Sequence, residues 1–196
     1  MTIEQELAAA WQRIDQRTKA LQRRHRDIGD IPLYDDGLNP PASNAQLLQL
    51  KKAFGMDVPI ELAYSLKRWN GRWIAHDHMI SLSPVADHIY MSQVSPWQEE
   101  YADETFEQVF GPINPLMNSR KRFCIGGHEG SGEFLYLDYE NPPKGGRLGQ
   151  VIRIGEEPTA QYIAGSFVEF LNMVAAAPVY DDNPDFDPLL PSASAR

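Results

Sequence analysis

Residues 122–152 read RFCIGGHEGSGEFLYLDYENPPKGGRLGQVI. This stretch holds three short apolar strands, 122–125, 133–138 and 149–154, separated by polar, glycine-rich segments. A turn rather than a crossover helix joins the first two, so their pairing is expected to be antiparallel. The link YENPPKGGRLGQ is a long loop. The turn GGHEGSGE lacks the Gly-Lys-Ser ending and helix start of a phosphate loop. It also lacks the G-x-S-x-G order of a nucleophile elbow. Glycines that supply positive φ explain it better. His128, Glu129 and Ser131 stand too close in sequence to reach the geometry of a catalytic trio. Asp138, at a strand end, suits a cap on the following loop.

Upstream of the strand block, Ser95-Pro96 with Gln98 predicts a helix start. Trp97, Tyr101, Phe106, Val109 and Phe110 would form its buried side, and Gly111-Pro112 its end. Residues 72–94 read as one strand and a loop. Further upstream lies a helix–turn–helix. Ser43 with Gln46 makes a capping box, and Leu47, Leu50 and Phe54 form a stripe. Gly55 is a left-handed stop, and Pro59 suits the first turn of the next helix. Leu62, Leu66 and Trp69 share a face before the Asn70-Gly71 turn. At the N-terminus Thr2 and Gln5 cap a long amphipathic helix whose stripe is Ile3, Leu7, Trp11, Ile14 and Leu21. Its basic end, RRHRD, suits a helix C-terminus. Downstream, Ser166 with Glu169 caps a last helix. From Pro178 the composition turns to Asp, Pro and Ser, which predicts a mobile acidic tail over 178–196.

The chain has 196 residues, 42% hydrophobic and 23% charged, which suits one folded domain with a sizeable core. No apolar run is long enough to cross a bilayer, and no signal-peptide pattern opens the sequence. The single cysteine, Cys124, cannot pair internally, which favours a cytoplasmic protein and a plain core role for the thiol. The net charge is −9, unevenly spread. Residues 85–110 hold six acids (Asp87, Glu99, Glu100, Asp103, Glu104, Glu107) and no Lys or Arg. Such a field repels nucleic acid and favours a basic partner; the same acids also suit a solvated helix face.

His76, Asp77 and His78, with His88 further on, make the most metal-like cluster, since two histidines at i and i+2 share a strand face. A third ligand would have to come from elsewhere, and an ordinary polar loop explains the group better, so neither metal nor cofactor is expected. Trp69, Trp73, Tyr136 and Tyr139 read as core rather than as a base-stacking platform.

Two segments together carry a family resemblance. One is LNPPASNAQLLQLKKAFGMDVPIELAYSLKRWNG, residues 38–71. The other is 122–152, with Leu137-Asp138 and Gly-Gln-Val-Ile at 149–152, followed by Ser-Phe-Val-Glu-Phe-Leu at 166–171. In this order the chain resembles the Smi/Knr group of the SUKH superfamily. The resemblance implies an α+β fold, a mixed or antiparallel sheet with helices packed against it. The expected layout is one domain over 1–177, made of an N-terminal helix (1–26), the helix–turn–helix (38–71), the strand block (122–154) and a last helix (166–175). Bacterial members are commonly immunity proteins that neutralise polymorphic toxins, often nucleases or deaminases; fungal relatives are regulatory scaffolds in cell-wall signalling. Neither use is enzymatic; a small-ligand binder or an enzyme is the lesser alternative, which a deep pocket with convergent polar groups would favour. The chain departs from the pattern at Phe123-Cys124-Ile125, where Trp-Ile-Pro is common, and at the turn, where His128, Glu129 and Glu133 replace the usual Asp or Asn. Such positions differ between partners. The expected partner-binding residues are therefore Glu99, Glu100, Asp103, Glu104 and Glu107, with His128, Glu129 and Glu133. The expected partner is a basic toxin domain, met by a monomer or weak dimer.

Overall fold

The computed structural model describes residues 1–27, 39–94, 104–117, 119, 121–128, 131–155, 158–179 and 188–189. Thirteen elements follow one another. Helices α1 (Ile3–Asp27), α2 (Asn44–Phe54) and α3 (Ile60–Arg68) come first. Strand β1 (Arg72–Ala75), a 3-10 turn (His76–His78), strand β2 (Ile80–Leu82) and helix α4 (Val85–Val94) follow. Then come β3 (Gln108–Phe110), β4 (Arg122–His128), β5 (Glu133–Asp138), β6 (Gln150–Ile154), β7 (Thr159–Ala164) and α5 (Phe167–Ala176).

The strands make one mixed sheet in the order β1-β2-β4-β5-β6-β7-β3. Every pairing is antiparallel except β3 with β7. The α+β expectation holds and the 122–154 block has three strands, but β4 runs on to His128, so Gly126 and Gly127 sit in the strand and only Gly132 of the expected turn takes a positive φ among the described residues.

The helix boundaries follow the caps that the sequence offers. Thr2 and Gln5 exchange backbone-to-side-chain bonds of 2.9 and 3.3 Å. Ser43 and Gln46 form a full capping box, and Gly55 closes α2 at φ +70°. The Ser166 hydroxyl accepts from the Glu169 N–H at 3.1 Å.

One face of the sheet carries the main core. Leu7, Ala10, Trp11 and Ile14 of α1 meet Phe167, Phe170, Leu171 and Val174 of α5 over Leu135, Leu137 and Val151. The other face carries a smaller cluster, with Phe106 and Ile113 laid over Ile152 and Ala160. Strand alternation produces both, because successive side chains point to opposite faces. In β5, Leu135 and Leu137 join the first cluster and Tyr136 the second.

Polar contacts bolt α1 to the rest. The Trp11 indole donates to the Ser65 hydroxyl at 3.0 Å. Asp15 accepts from Arg68 at 2.9 Å and from Arg72 at 2.7 Å. The Arg72 guanidinium lies over the Trp69 ring at 5.0 Å and the Trp11 ring at 5.6 Å. Arg17 grips both Asp77 oxygens at 2.6 Å and donates to the Ala177 and Pro178 carbonyls.

Two expectations change. Residues 72–94 hold two strands and helix α4 rather than one strand and a loop. The helix expected from Ser95 is not present where the chain is described: residues 104–110 run extended into β3, and residues 95–103, with Trp97 and Tyr101, lie outside the described residues. In the strand Val109 packs into the second cluster, whereas Phe110 points out and is 55% exposed. Alternation holds within β3, and the bend at Glu107 lets Phe106 join the same cluster as Val109. Of the segment 178–196 only residues 178–179 and 188–189 are described, and Leu189 is 1% exposed within the main core.

Candidate partner-binding surface

The β4–β5 hairpin sets one end of the sheet, with His128 opposite Glu133. Its glycines answer to close packing. A Cβ on Gly126 would stand 2.0 Å from the Ser81 carbonyl oxygen, so only glycine lets β2 approach β4. His128 is half-buried, and its Nδ1 has no hydrogen-bond partner among the described residues. Glu133 is not a free acid. Arg153 pairs with it at 3.2 Å, and the Ser131 hydroxyl donates to it at 3.1 Å. Arg153 also donates to the Gln161 side-chain oxygen. Glu129 lies outside the described residues.

Of the acidic run, Glu99, Glu100 and Asp103 lie outside the described residues. Glu104 and Glu107 are exposed, and neither makes an ion pair among the described residues. Their backbone is held firmly. The Glu104 carbonyl accepts from the Met117 N–H at 2.8 Å, the Phe106 N–H donates to Pro115 at 2.9 Å, and the Glu107 N–H donates to Pro158 at 2.8 Å. The register Gly127–Phe134–Ile154–Ala160–Val109 runs across the sheet. It puts β3 four strands from β4, or about 19 Å at one strand spacing each. The expected residues therefore share one end of the sheet but form two separate groups, at the hairpin and at β3.

The motif residues 138 and 150 are not on this surface. Asp138 is fully buried, accepts from the Arg122 Nε at 3.1 Å and from the Gln150 amide at 3.2 Å, and caps the Glu140 N–H at 3.1 Å. Arg122 donates onward to the carbonyls of Asn114, Leu116 and Met117, and Gln150 to that of Pro112. This brace straps the 112–117 loop over the second face. The loop-capping role expected for Asp138 is real and is the smaller part of its work.

His78 and His88 are not drawn together, and the His76 side chain lies outside what is described. The His78 Nε2 meets the Pro178 carbonyl at 2.8 Å, whereas His88 sits in the core edge-on to Phe54, with ring centroids 6.5 Å apart. Among the described residues no group of three His, Cys, Asp or Glu stands ready to hold a metal. Burial pushes the Cys124 thiol up to about 12, so it stays protonated and is a poor nucleophile. Burial likewise raises the Tyr136 and Tyr139 hydroxyls. No described helix is long and apolar enough to cross a membrane. The arrangement offers recognition chemistry: exposed carboxylates and an exposed aromatic ring on a fixed strand. Phe110 is the residue that sequence reading misplaced, and no local signal marks it, because Phe106, Val109 and Phe110 with the polar pair Glu107-Gln108 between them fit a helical stripe.

The model of the SMI1/KNR4 family (SUKH-1) matches residues 41–173. The match spans α2 through most of α5 and leaves α1 outside. No curated protein matches the chain.

Proposed function

Since this chain belongs to the SMI1/KNR4 family (SUKH-1), we propose that it is a non-enzymatic binding module of the cytoplasm that neutralises a toxin with a basic catalytic groove. Family membership supports a role in protein–protein interaction. The observation that carries the finer reading is the pair Glu104 and Glu107, exposed and free of ion pairing among the described residues, on a backbone fixed by Met117, Pro115 and Pro158. A nuclease-type toxin needs a basic groove to hold phosphates. An acidic protein face that keeps its shape covers such a groove by charge complementarity, which raises the association rate and the selectivity.

The test is functional. The chain is produced together with a nuclease-type toxin catalytic domain from the same genome, and growth and toxin activity are followed. Restored growth with a stable complex supports the reading. An unaffected toxin, with the chain bound instead to a cell-wall signalling protein, would put the regulatory scaffold in its place.

A further inference from the structure

We infer that the outward side of β3 is the docking surface of this protein, with Phe110 as its anchor and Glu104 and Glu107 as its rim, for a partner whose apolar pocket is ringed by lysine and arginine. The inference rests on the reading above that the chain acts by binding a protein, and it adds where and through what.

The exposure of Phe110 is built into the strand. Its neighbour Val109 packs inward on Tyr162, Ile154 and the rest of the second cluster, so alternation turns the Phe110 ring the other way. The turn that follows is fixed by Gly111 at φ +103°, where a Cβ would stand 2.6 Å from the Tyr162 Cβ. No other residue type fits there without displacing the strand, so Phe110 is held out, 55% exposed, on a pre-organised backbone. A rigid aromatic that a partner pocket can desolvate is the side-chain type that carries binding energy at protein interfaces.

The charge around it fits one kind of partner. Glu104 and Glu107 both precede the strand, at its N-terminal end, and are exposed without ion pairs among the described residues. On the Phe110 side, its register neighbour Gln161 accepts from Arg153, and Arg153 is already paired with Glu133. That cation is neutralised and does not repel a basic rim. An acidic partner would meet unpaired carboxylates and lose affinity.

The experiment uses the full chain in its native cells. A photo-crosslinking benzoylphenylalanine is placed at position 110 and, as a control, at position 148, where Leu148 is 61% exposed in the loop before β6. The protein captured through position 110 is then produced pure and titrated against wild type, Phe110→Ala, Phe110→Tyr and Glu104→Lys/Glu107→Lys. The expected result is a specific adduct at 110 with a domain basic at its contact face. Phe110→Ala should then weaken binding by at least roughly tenfold, and Phe110→Tyr should retain it. The double reversal should slow association about tenfold at low salt, with the gap closing as salt rises. Thermal midpoints should stay together, because the altered side chains are exposed. An adduct from 148 alone, no adduct from 110, an acidic contact face, or unchanged affinity in Phe110→Ala each overturns the inference. A neutralised toxin indifferent to Phe110→Ala would leave the proposed function and remove this surface. A basic, non-toxic partner that needs Phe110 would do the reverse.

Discussion

Asp138 shows how one buried carboxylate organises a region. It accepts from Arg122, from Gln150 and from the Glu140 N–H, so replacing it by alanine leaves the Arg122 guanidinium buried without the carboxylate it touches. Breaking a buried pair in this way costs about 3–5 kcal/mol. Asp138→Ala is therefore expected to lower the urea midpoint sharply and to loosen the 112–117 loop, read as faster amide exchange there. His88 is the second such residue. Burial lowers its pKa from 6.5 to about 4, opposed by backbone groups of Cys124 and Ser83. Neither ring nitrogen meets a partner in good hydrogen-bond geometry among the described residues. The fold thus favours the neutral ring. The unfolded chain takes up the proton near 6.5, the folded one only near 4, so the stability is full above 6.5 and falls as pH drops between the two. The loss approaches about 3 kcal/mol at the acid end. His88→Phe should flatten that acid limb in denaturant titrations from pH 7 to 4; parallel curves for the two proteins would assign the acid sensitivity to other groups.

At the scale of elements, α1 is the informative case, because the family match begins at residue 41 while the core begins at Leu7. Trp11 is fully buried, bonds Ser65 and lies under Arg72. Trp11→Ala should cost about 3–5 kcal/mol, measured by equilibrium unfolding, and a near-neutral result would make α1 an appendage. The elements that sequence reading recovered are those with strong local signals: caps at Thr2, Ser43 and Ser166, the stop at Gly55, and the apolar runs of β4, β5 and β6. Those it missed are set by tertiary contact. Strand β2 has three residues and exists because Gly126 admits it beside β4. Helix α4 has no clean apolar stripe, since its buried members Val85 and His88 are held by the Asn70 side chain and by Phe54. Strand β3 reads as a helix because Phe106, Val109 and Phe110 are compatible with helical spacing, and only the parallel partner β7 decides the matter. Of the candidate surface, the acids at 104 and 107 were legible from charge alone. The neutralisation of Glu133 by Arg153 was not, because the two are 20 residues apart and meet only through the β5–β6 register.

At the scale of the whole molecule, the described residues of the C-terminal segment are tied to the core, while residues 180–187 and 190–196 lie outside the described residues. Pro and Asp after residue 177 suggest a segment that cannot bury enough apolar surface to hold itself down. Two contacts act the other way. The Pro178 carbonyl accepts from Arg17 and meets His78 at 2.8 Å, which ties the end of α5 to α1 and to the 3-10 turn. Leu189 is 1% exposed and belongs to the same cluster as Trp11, Phe167 and Phe170. A leucine so placed, truncated to alanine, leaves a cavity and loses its transfer free energy, about 2–5 kcal/mol together. In a chain of this size each kcal/mol moves the thermal midpoint by roughly 2–4 °C. Leu189→Ala should therefore lower the midpoint by several degrees, and a chain ending at Val179 should lose at least as much. Both should still unfold cooperatively, since α1, α5 and the sheet keep their mutual core. Differential scanning calorimetry of the three proteins decides it. A midpoint unchanged by both alterations would mean that the segment is dispensable, as its composition alone suggests.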